Sequence, residues 1–330
     1  MNKSKLFVII IIILLLSFSG FIAYNPNSKA EVKARVLKTD NSDMIRSGVA
    51  NIGNQTLTVK ILEGKHKNKK LTAYNGLTGK LQLDNYFQPG DKILVALQEK
   101  NNKLIAKAVD LYRLPWELML FGIFVLLLIL YAKTVGLKAL FSFIVSLYII
   151  WNFLIPRLLA GQQPLVLSAL TLLLLSAIII FSVAGFNKKG LAAFLGTITG
   201  LFFTIIITIV FGKVLSLQGM TAPFAETLLY SGHLNLNMKH ILYAAIVIGA
   251  SGAAMDIAMD VAASMAEIKA KKTDIEMKEL INSGFTVGRA VIGTMTTTLL
   301  LAYSGGYLTL LMLFMTKNSS LNRMLNFKMV

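Results

Sequence analysis

The chain has no cysteine among its 330 residues, and only 15% of its residues are charged. The absence of cysteine excludes disulfides, thiolate metal sites, a cysteine nucleophile and lipid attachment to cysteine. Because about a quarter of the residues in a soluble domain are usually charged, the low charged fraction indicates a membrane protein. The mean hydropathy of +0.66 agrees with this interpretation.

The net charge of +17 is distributed unevenly along the chain. Residues 25–113 hold 16 Lys/Arg and 8 Asp/Glu, whereas the other 241 residues hold only 17 and 8. The chain therefore combines one polar domain with a long stretch that is nearly free of charge. The sequence contains no compact basic cluster with interleaved aromatic residues, which argues against nucleic acid as a partner.

Apolar runs divide the chain into four predicted regions. The uncharged run Leu6–Tyr24 follows a basic head, so residues 1–24 form either a signal anchor or a cleaved signal peptide. Residues 25–113 form an extracytoplasmic β-rich domain under both interpretations. Residues 114–316 form a six-span transmembrane domain, and residues 317–330 form a polar tail.

The β-rich domain is predicted from short, partly alternating runs of Val, Ile, Leu and Thr. These predicted strands are Val32–Leu37, Thr56–Leu62, Leu71–Asn75, Lys92–Leu97 and Lys103–Leu111. Turns are predicted at Asn51–Asn54, Glu63-Gly64 and Pro89–Asp91. Five strands in so short a segment suggest a small barrel, for which an OB-like arrangement is one candidate. The domain has no aromatic stacking platform for an oligonucleotide.

The fold class predicted for the whole chain is an α-helical polytopic membrane protein of about seven spans. Besides Leu6–Tyr24, the spans are Trp116–Ala132, Leu140–Ile155, Leu165–Gly185, Leu191–Leu215, Ile241–Ala262 and Gly284–Tyr303. With the N-terminus in the cytoplasm, eight Lys residues lie in inside loops and three Lys/Arg lie outside, as the positive-inside rule requires. A mixed-charge helix, Glu267–Leu280, is predicted to join the last two spans on the inside.

Ionisable residues inside spans are rare because charge is costly there, and three of them stand out as candidates for function. Asp256 and Asp260 lie four residues apart and share one helix face. Arg289 lies in the next span at a similar depth. Two functional roles follow, in which one carboxylate pairs with Arg289 and the other binds a cation or a proton. The alternative is a structural salt bridge that joins two helices.

Small and polar residues surround these charges in three spans. The hydroxyl candidates for ion or substrate binding are Ser251, Thr294, Thr296, Thr297 and Thr298. The glycines expected to allow close helix packing are Gly196, Gly200, Gly249, Gly252, Gly284 and Gly288. Together they predict a buried site between the last three long spans.

The sequence argues against an enzyme. Gly249–Gly252 spells the GxSG motif of rhomboid proteases, but the only histidines are His66, His233 and His240, and none is placed to act as the serine's base. The two aspartates share one helix and lack the GxGD motif of presenilin-like proteases. No Walker A sequence, cofactor motif or metal-ligand set is present, so no catalytic residue, metal or cofactor is predicted.

Several stretches of the apolar region form specific motifs. They are Gly196-Thr197 with Gly200, Gly249–Met259, Ser283–Arg289, Ile292–Thr296 and Leu299–Gly306. In these motifs the chain resembles the YibE/YibF-like family of bacterial multi-pass membrane proteins. The resemblance implies a polytopic inner-membrane protein of permease type with no settled activity. It also implies a further apolar span after Gly306, so this copy is expected to be truncated.

The sequence thus favours a permease or secondary transporter for an unidentified solute or ion, located in the bacterial cytoplasmic membrane. The alternative is a membrane-anchored interaction or assembly factor whose exported β domain binds a partner. The lipid bilayer is the expected environment. A small ion or solute, a second copy of the chain or another membrane protein are the partners compatible with the sequence.

Overall fold

The computed structural model describes residues 31–100 and 103–316, together with Ser320 and Asn322. The described residues fall into two compact units, divided between Leu127 and Leu128. The first unit contains all of the described strands, and the second contains most of the helical residues. The predicted helix Leu6–Tyr24 lies outside the described residues, as does most of the polar tail at 317–330.

Five strands of the first unit pair in a closed ring, and the sixth strand pairs alongside only one of the five. The strands are β1 (Glu31–Asp40), β2 (Met44–Ser47), β3 (Ala50–Ile61), β4 (Lys70–Thr78), β5 (Lys92–Lys100) and β6 (Lys103–Leu111). β1 pairs with both β3 and β5, β3 pairs with β4, and β6 joins β4 to β5. The β4–β6 pair is parallel and the others are antiparallel. The predicted β-rich domain is therefore confirmed as a small β-barrel-like domain.

The barrel interior is filled by every second residue of the ring strands, as strand geometry requires. Its buried members are Ala34, Val36, Leu57, Val59, Ile61, Ala73, Phe87, Ile93, Val95, Ala106 and Ala108. Phe87 alone comes from outside the strands, from the segment between β4 and β5. This segment therefore covers part of the core and is not a free surface loop.

The predicted turn at Asn51–Asn54 is wrong, because these residues lie inside β3, where Asn51, Ile52 and Gly53 pair with β2. The chain instead reverses at Gly48-Val49, between the two strands. Gly53 has φ +114°, and a Cβ there would overlap the main-chain carbonyl of Asp43. The glycine thus permits a close backbone approach within a strand. In the sequence, a glycine with this role looks the same as a glycine in a turn.

A buried amide holds the β4–β5 segment onto the barrel. Gln55 is fully buried, and its Nε2 donates to Phe87 O (2.9 Å) and to Asn41 Oδ1 (3.1 Å). Its Oε1 accepts from Phe87 N (3.2 Å) and from Asn75 Nδ2 (3.2 Å). Both donors and both acceptor positions of the amide are therefore used, and we name these contacts the Gln55 latch.

The pKa of Asp84 predicts an acid-sensitive contribution to barrel stability. Burial would raise this pKa, but hydrogen bonds from the N–H groups of Thr78 and Gly79 and from the Thr78 hydroxyl hold it below its ordinary value. The carboxylate therefore stabilises the fold above the ordinary Asp pKa, and this contribution is lost as pH falls through the lowered pKa. We expect Asp84→Asn to lower the unfolding temperature at neutral pH and to flatten its fall on acidification. Calorimetry of the whole chain from about pH 7 to about pH 3 measures both effects.

Asp43→Asn is the matched control, because it removes one carboxylate from an exposed turn without removing any of these hydrogen bonds. An Asp84→Asn chain with the same pH dependence as the Asp43→Asn chain would contradict the prediction.

The second half of the chain is helical. Its elements are α1 (Leu114–Ile149), a π-helical turn (Ile150–Leu154), α2 (Ile155–Leu159), α3 (Pro164–Ala184), α4 (Lys188–Val214), α5 (Ala225–Tyr230), α6 (Met238–Lys271), α7 (Met277–Gly306) and α8 (Leu308–Thr316). In the described part of the chain, five helical segments are long and apolar enough to cross a membrane. These are the continuous segment Leu114–Leu159 and the helices α3, α4, α6 and α7. The seven predicted spans are therefore not confirmed.

The count differs for two reasons. The predicted span Leu6–Tyr24 lies outside the described residues, and two other predicted spans belong to one helical segment of 46 residues. Within α1, Lys133 alone has non-helical backbone angles, with φ 47° and ψ −121°, directly after the predicted span Trp116–Ala132. A Cβ on Gly136 would lie 2.6 Å from the carbonyl oxygen of Leu128. Because eight residues of straight helix span about 12 Å, this contact shows that the helix bends sharply at Lys133.

The mixed-charge segment Glu267–Leu280 is also not a separate helix. α6 runs to Lys271 and α7 begins at Met277, so the two span helices extend into it from both ends. Exposed ion pairs join Glu267 to Lys271 (3.4 Å) and Lys272 to Glu279 (3.0 Å). The segment is thus a short, charged connection between two long helices.

Candidate functional site

α6 lies at the centre of the helical unit and packs against α3, α4 and α7. Toward α4 the contact is made by small residues. A Cβ added to Gly196 or Gly200 would lie 3.7 Å from the Cβ of Ala258 or Ala254, respectively. As the residue number rises along α4, the number of the residue that it contacts on α6 falls, so the two helices are antiparallel. Two predicted packing glycines therefore lie where two helix backbones approach closely.

A second antiparallel seam joins α6 to α7. A Cβ on Gly284 would lie 2.7 Å from Met265 Sδ, and one on Gly288 would lie 3.7 Å from Val261 Cγ2. Near the other end of α7, a Cβ on Gly249 would lie 3.8 Å from the hydroxyl oxygen of Tyr303. We call this contact the α6–α7 seam. Gly252 has open space before it, so no contact supports a packing role for that glycine.

The seam brings the three charged residues to similar depths. Since Met265 lies level with Gly284 and Val261 with Gly288, the antiparallel register places Asp260 level with Arg289. Asp256 lies one turn further along α6, level with the residues just after Arg289. All three side chains are exposed. Among the described residues the ion pairs are Lys33–Glu63, Glu267–Lys271 and Lys272–Glu279, so none joins either aspartate to Arg289.

Arg289 and the aspartates lie on opposite sides of the seam. Arg289 lines an apolar groove of about 360 Å³ together with Val261, Met265, Ile281, Gly284, Phe285, Gly288 and Ile292. Neither aspartate lines this groove. The helical geometry explains this separation. Val261 and Gly288 face each other across the seam, and on antiparallel helices the residue before Val261 and the residue after Gly288 point to opposite sides of that contact. We call these the aspartate side and the arginine side of the seam.

The threonines of α7 divide between the two sides. At about 100° per residue, Thr296 turns to the same side of Gly288 as Arg289, whereas Thr294 and Thr298 turn to the aspartate side. Thr297 points away from α6 by the same argument.

The hydroxyls bond mainly to their own helices. Those of Thr294, Thr296 and Thr298 donate to the carbonyls of Val291, Ile292 and Thr294. Each donor is thereby satisfied, and oxygen lone pairs remain available to a cation. Ser251 is different, because it is buried and donates to the carbonyl of Ile248 (2.6 Å). By helical angle, Asp256, Asp260, Thr294 and Thr298 turn to one side of the seam and Thr296 and Arg289 to the other, while Ser251 is buried.

The structure also shows contacts that the sequence analysis missed. Tyr243 of α6 is buried and packs directly on Gly212 of α4, and its hydroxyl has no hydrogen-bond partner. Val261 and Met265 form the α6 wall of the seam. Apolar residues in an apolar helix carry no individual signal, so only the packing identifies them.

The carboxylates do not form a metal centre by themselves. Within the described ranges, no group of three His, Cys, Asp or Glu side chains is placed to hold a metal ion. An ion at the aspartate side would therefore be held by a carboxylate together with hydroxyl and main-chain oxygens.

Comparison with known proteins extends over both halves of the chain. The profile of the YibE/F family N-terminal domain matches residues 26–111, which include all six strands of the barrel. The profile of the YibE/F-like protein matches residues 120–330, which include the seam and its charged residues. No curated protein and no solved structure matches the chain. The resemblance seen in the sequence motifs is therefore confirmed, and the chain belongs to the YibE/F-like family.

Proposed function

We propose that the protein is a permease or secondary transporter whose ion site lies on the aspartate side of the α6–α7 seam. Asp256 is the central group of this site. It lies near the middle of a 34-residue helix that is long and apolar enough to span a membrane. A carboxylate at such a position costs about 2.5–3.5 kcal/mol on insertion scales, so it is rarely retained without a function.

One observation carries the proposal: Asp256 is exposed and makes no hydrogen bond or ion pair with any described residue that would explain it as a packing residue. Thr294 lies level with Asp256 on the same side of the seam, and the hydroxyl oxygen of Thr294 can coordinate a cation. Asp260 follows one turn away on the same helix, and Asp256 alone supplies the carboxylate of the proposed ion site. A cation or a proton is therefore the species that this surface fits.

The proposed location is the bacterial cytoplasmic membrane, with the N-terminus in the cytoplasm and the barrel outside. The support is the lysine distribution, since the connection between α6 and α7 carries Lys269, Lys271, Lys272 and Lys278. Short cytoplasmic loops are enriched in such residues.

The test is cation and proton flux into vesicles that contain the purified protein. We expect Asp256→Asn to abolish flux, because the amide keeps the shape and removes the charge. Asp274→Asn, in the exposed connection between α6 and α7, is the control for loss of one carboxylate. Thr294→Val should reduce flux, whereas Thr296→Val, on the arginine side, should not. Equal flux through the wild-type and Asp256→Asn proteins for every ion that the wild type carries would reject the ion site.

A second candidate function, a membrane-anchored interaction or assembly factor, is favoured by the surface of the barrel. The β2–β3 hairpin exposes Ile45 (73%) and Val49 (85%), which are unusually accessible for aliphatic residues. Under this function, Ile45→Ser with Val49→Ser should abolish copurification of a partner, as should deletion of residues 31–113. Asp256→Asn should leave the partner bound. Ile105→Ser, at a 40% exposed position of β6, is the matched control.

A further inference from the structure

The charges of the α6–α7 seam are complementary but are not paired with each other or with any other described residue. Asp260 and Arg289 lie level with each other across the seam, yet they face opposite sides of it. Neither side chain makes an ion pair or a hydrogen bond with another described residue. Both lie in helices that are apolar enough to span a membrane, where unpaired charges are unfavourable. The molecule therefore presents an unpaired acid and an unpaired base at one depth.

A second copy of the chain is the occupant that satisfies both charges. Copies inserted in one membrane share their orientation, so Asp260 of one copy and Arg289 of the next lie at the same depth without adjustment. The apolar run Leu6–Tyr24 of the same chain contains no charged residue, and lipid chains offer none. Neither can neutralise Asp260 or Arg289.

The surface around Asp260 also suits close helix contact. An exposed stripe of α6 on this side carries Ala245, Gly252 and Ala263, and a Cβ at Gly252 would meet no described atom within 4 Å. Small residues allow helix backbones to approach, which is the main source of helix association in lipid. A helix of a second copy can therefore approach α6 closely enough for its arginine to reach the carboxylate.

We propose that the protein assembles with itself through this seam, the aspartate side of one copy packing on the arginine side of the next. Asp260 of each copy forms an ion pair with Arg289 of its neighbour. Because the two surfaces are different, the contact is head-to-tail between copies that share one orientation in the membrane. The proposal does not rest on the proposed transport function, since it uses Asp260 and Arg289 rather than Asp256.

Cysteine crosslinking tests the contact directly, because the chain contains no cysteine of its own. Chains carrying Asp260→Cys with one affinity tag and chains carrying Arg289→Cys with another are expressed together and oxidised in the membrane. We expect a disulfide between the two kinds of chain, at about tenfold higher yield than between two chains of the same kind. Leu195→Cys is the control partner for Asp260→Cys, since Leu195 is 56% exposed on α4 near the depth of Asp260.

Charge exchange supplies a test that does not depend on cysteine chemistry. Asp260→Arg alone and Arg289→Asp alone should each reduce the oligomer fraction by about tenfold in a mild detergent, as expected for an interhelical polar contact of about 1.4 kcal/mol. The double variant Asp260→Arg with Arg289→Asp should restore it, which also shows that the reversed charges do not prevent folding.

Three results would overturn the proposal. The first is a disulfide between two Asp260→Cys chains at a yield equal to that of the mixed pair, which indicates a two-fold contact. The second is equal crosslinking of Asp260→Cys to Leu195→Cys and to Arg289→Cys. The third is a monomer for the wild-type chain under the conditions that preserve its fold.

Discussion

Replacing Gln55 by leucine is expected to release the β4–β5 segment from the barrel, at a cost of about 3–5 kcal/mol. Leucine has a similar volume and fills the same space, so the loss comes from hydrogen bonding. The Phe87 N–H and C=O groups and the Asn75 amide lose the partner that they share in the wild type. Each buried polar group left unpaired costs about 1–3 kcal/mol.

Phe87 supplies the measurement, because its side chain is only 1% exposed and its peptide bond is protected while the latch is closed. Chymotrypsin should cut after Phe87 about a hundredfold faster or more in the Gln55→Leu protein, since opening is easier by several kcal/mol. Gln98→Leu is the control, because it makes the same chemical change at an exposed position of β5. Equal cleavage rates in the two variants would show that the latch does not hold this segment.

The second large effect is expected at Gly212, where α4 meets α6. A Cβ at this glycine would overlap the ring and hydroxyl of Tyr243, which is only 2% exposed and has no room to move. We expect Gly212→Ala to lower the free energy of unfolding by about 3 kcal/mol, the upper range for overpacking by one methyl group. Thermal unfolding of the whole chain, followed by helical circular dichroism, measures this loss.

Two further variants separate overpacking from a general effect of alanine. Gly293→Ala, on α7, meets no atom within 4 Å and should be neutral or stabilising, as alanine favours a helix. Tyr243→Leu should restore stability to Gly212→Ala, because the smaller side chain makes room for the added methyl. Failure of this rescue would contradict the overpacking argument.

The features predicted well were those set by local composition. The polar segment forms the barrel, and the partly alternating run Lys103–Leu111 matched β6 in both bounds. Period-two burial and long apolar runs are properties of neighbouring residues, so they can be seen without the fold. The turn predicted at Asn51–Asn54 failed because glycine favours both a turn and a close backbone approach in a strand. Only the pairing with β2 distinguishes the two.

Part of the helix packing around the candidate residues could be seen in the sequence for the same reason. Gly196 and Gly200 indicated close helix packing, and α4 does approach Ala254 and Ala258 of α6. The latch residue Gln55 and the buried Tyr243 were missed, since neither belongs to a periodic pattern or a motif. Both owe their importance to residues that are far away in sequence.

The sequence by itself determined that a polar β-rich domain is joined to apolar helices and that Asp256, Asp260 and Arg289 lie within them. It also determined the family, through motifs that are contiguous along the chain. Only the tertiary structure decided that the aspartates and Arg289 face opposite sides of one seam. The physical reason is that spacing fixes the angle of a residue around its own helix, whereas the side it faces depends on which residues the neighbouring helix covers. That choice is made by the packing of Gly284 and Gly288 against Met265 and Val261.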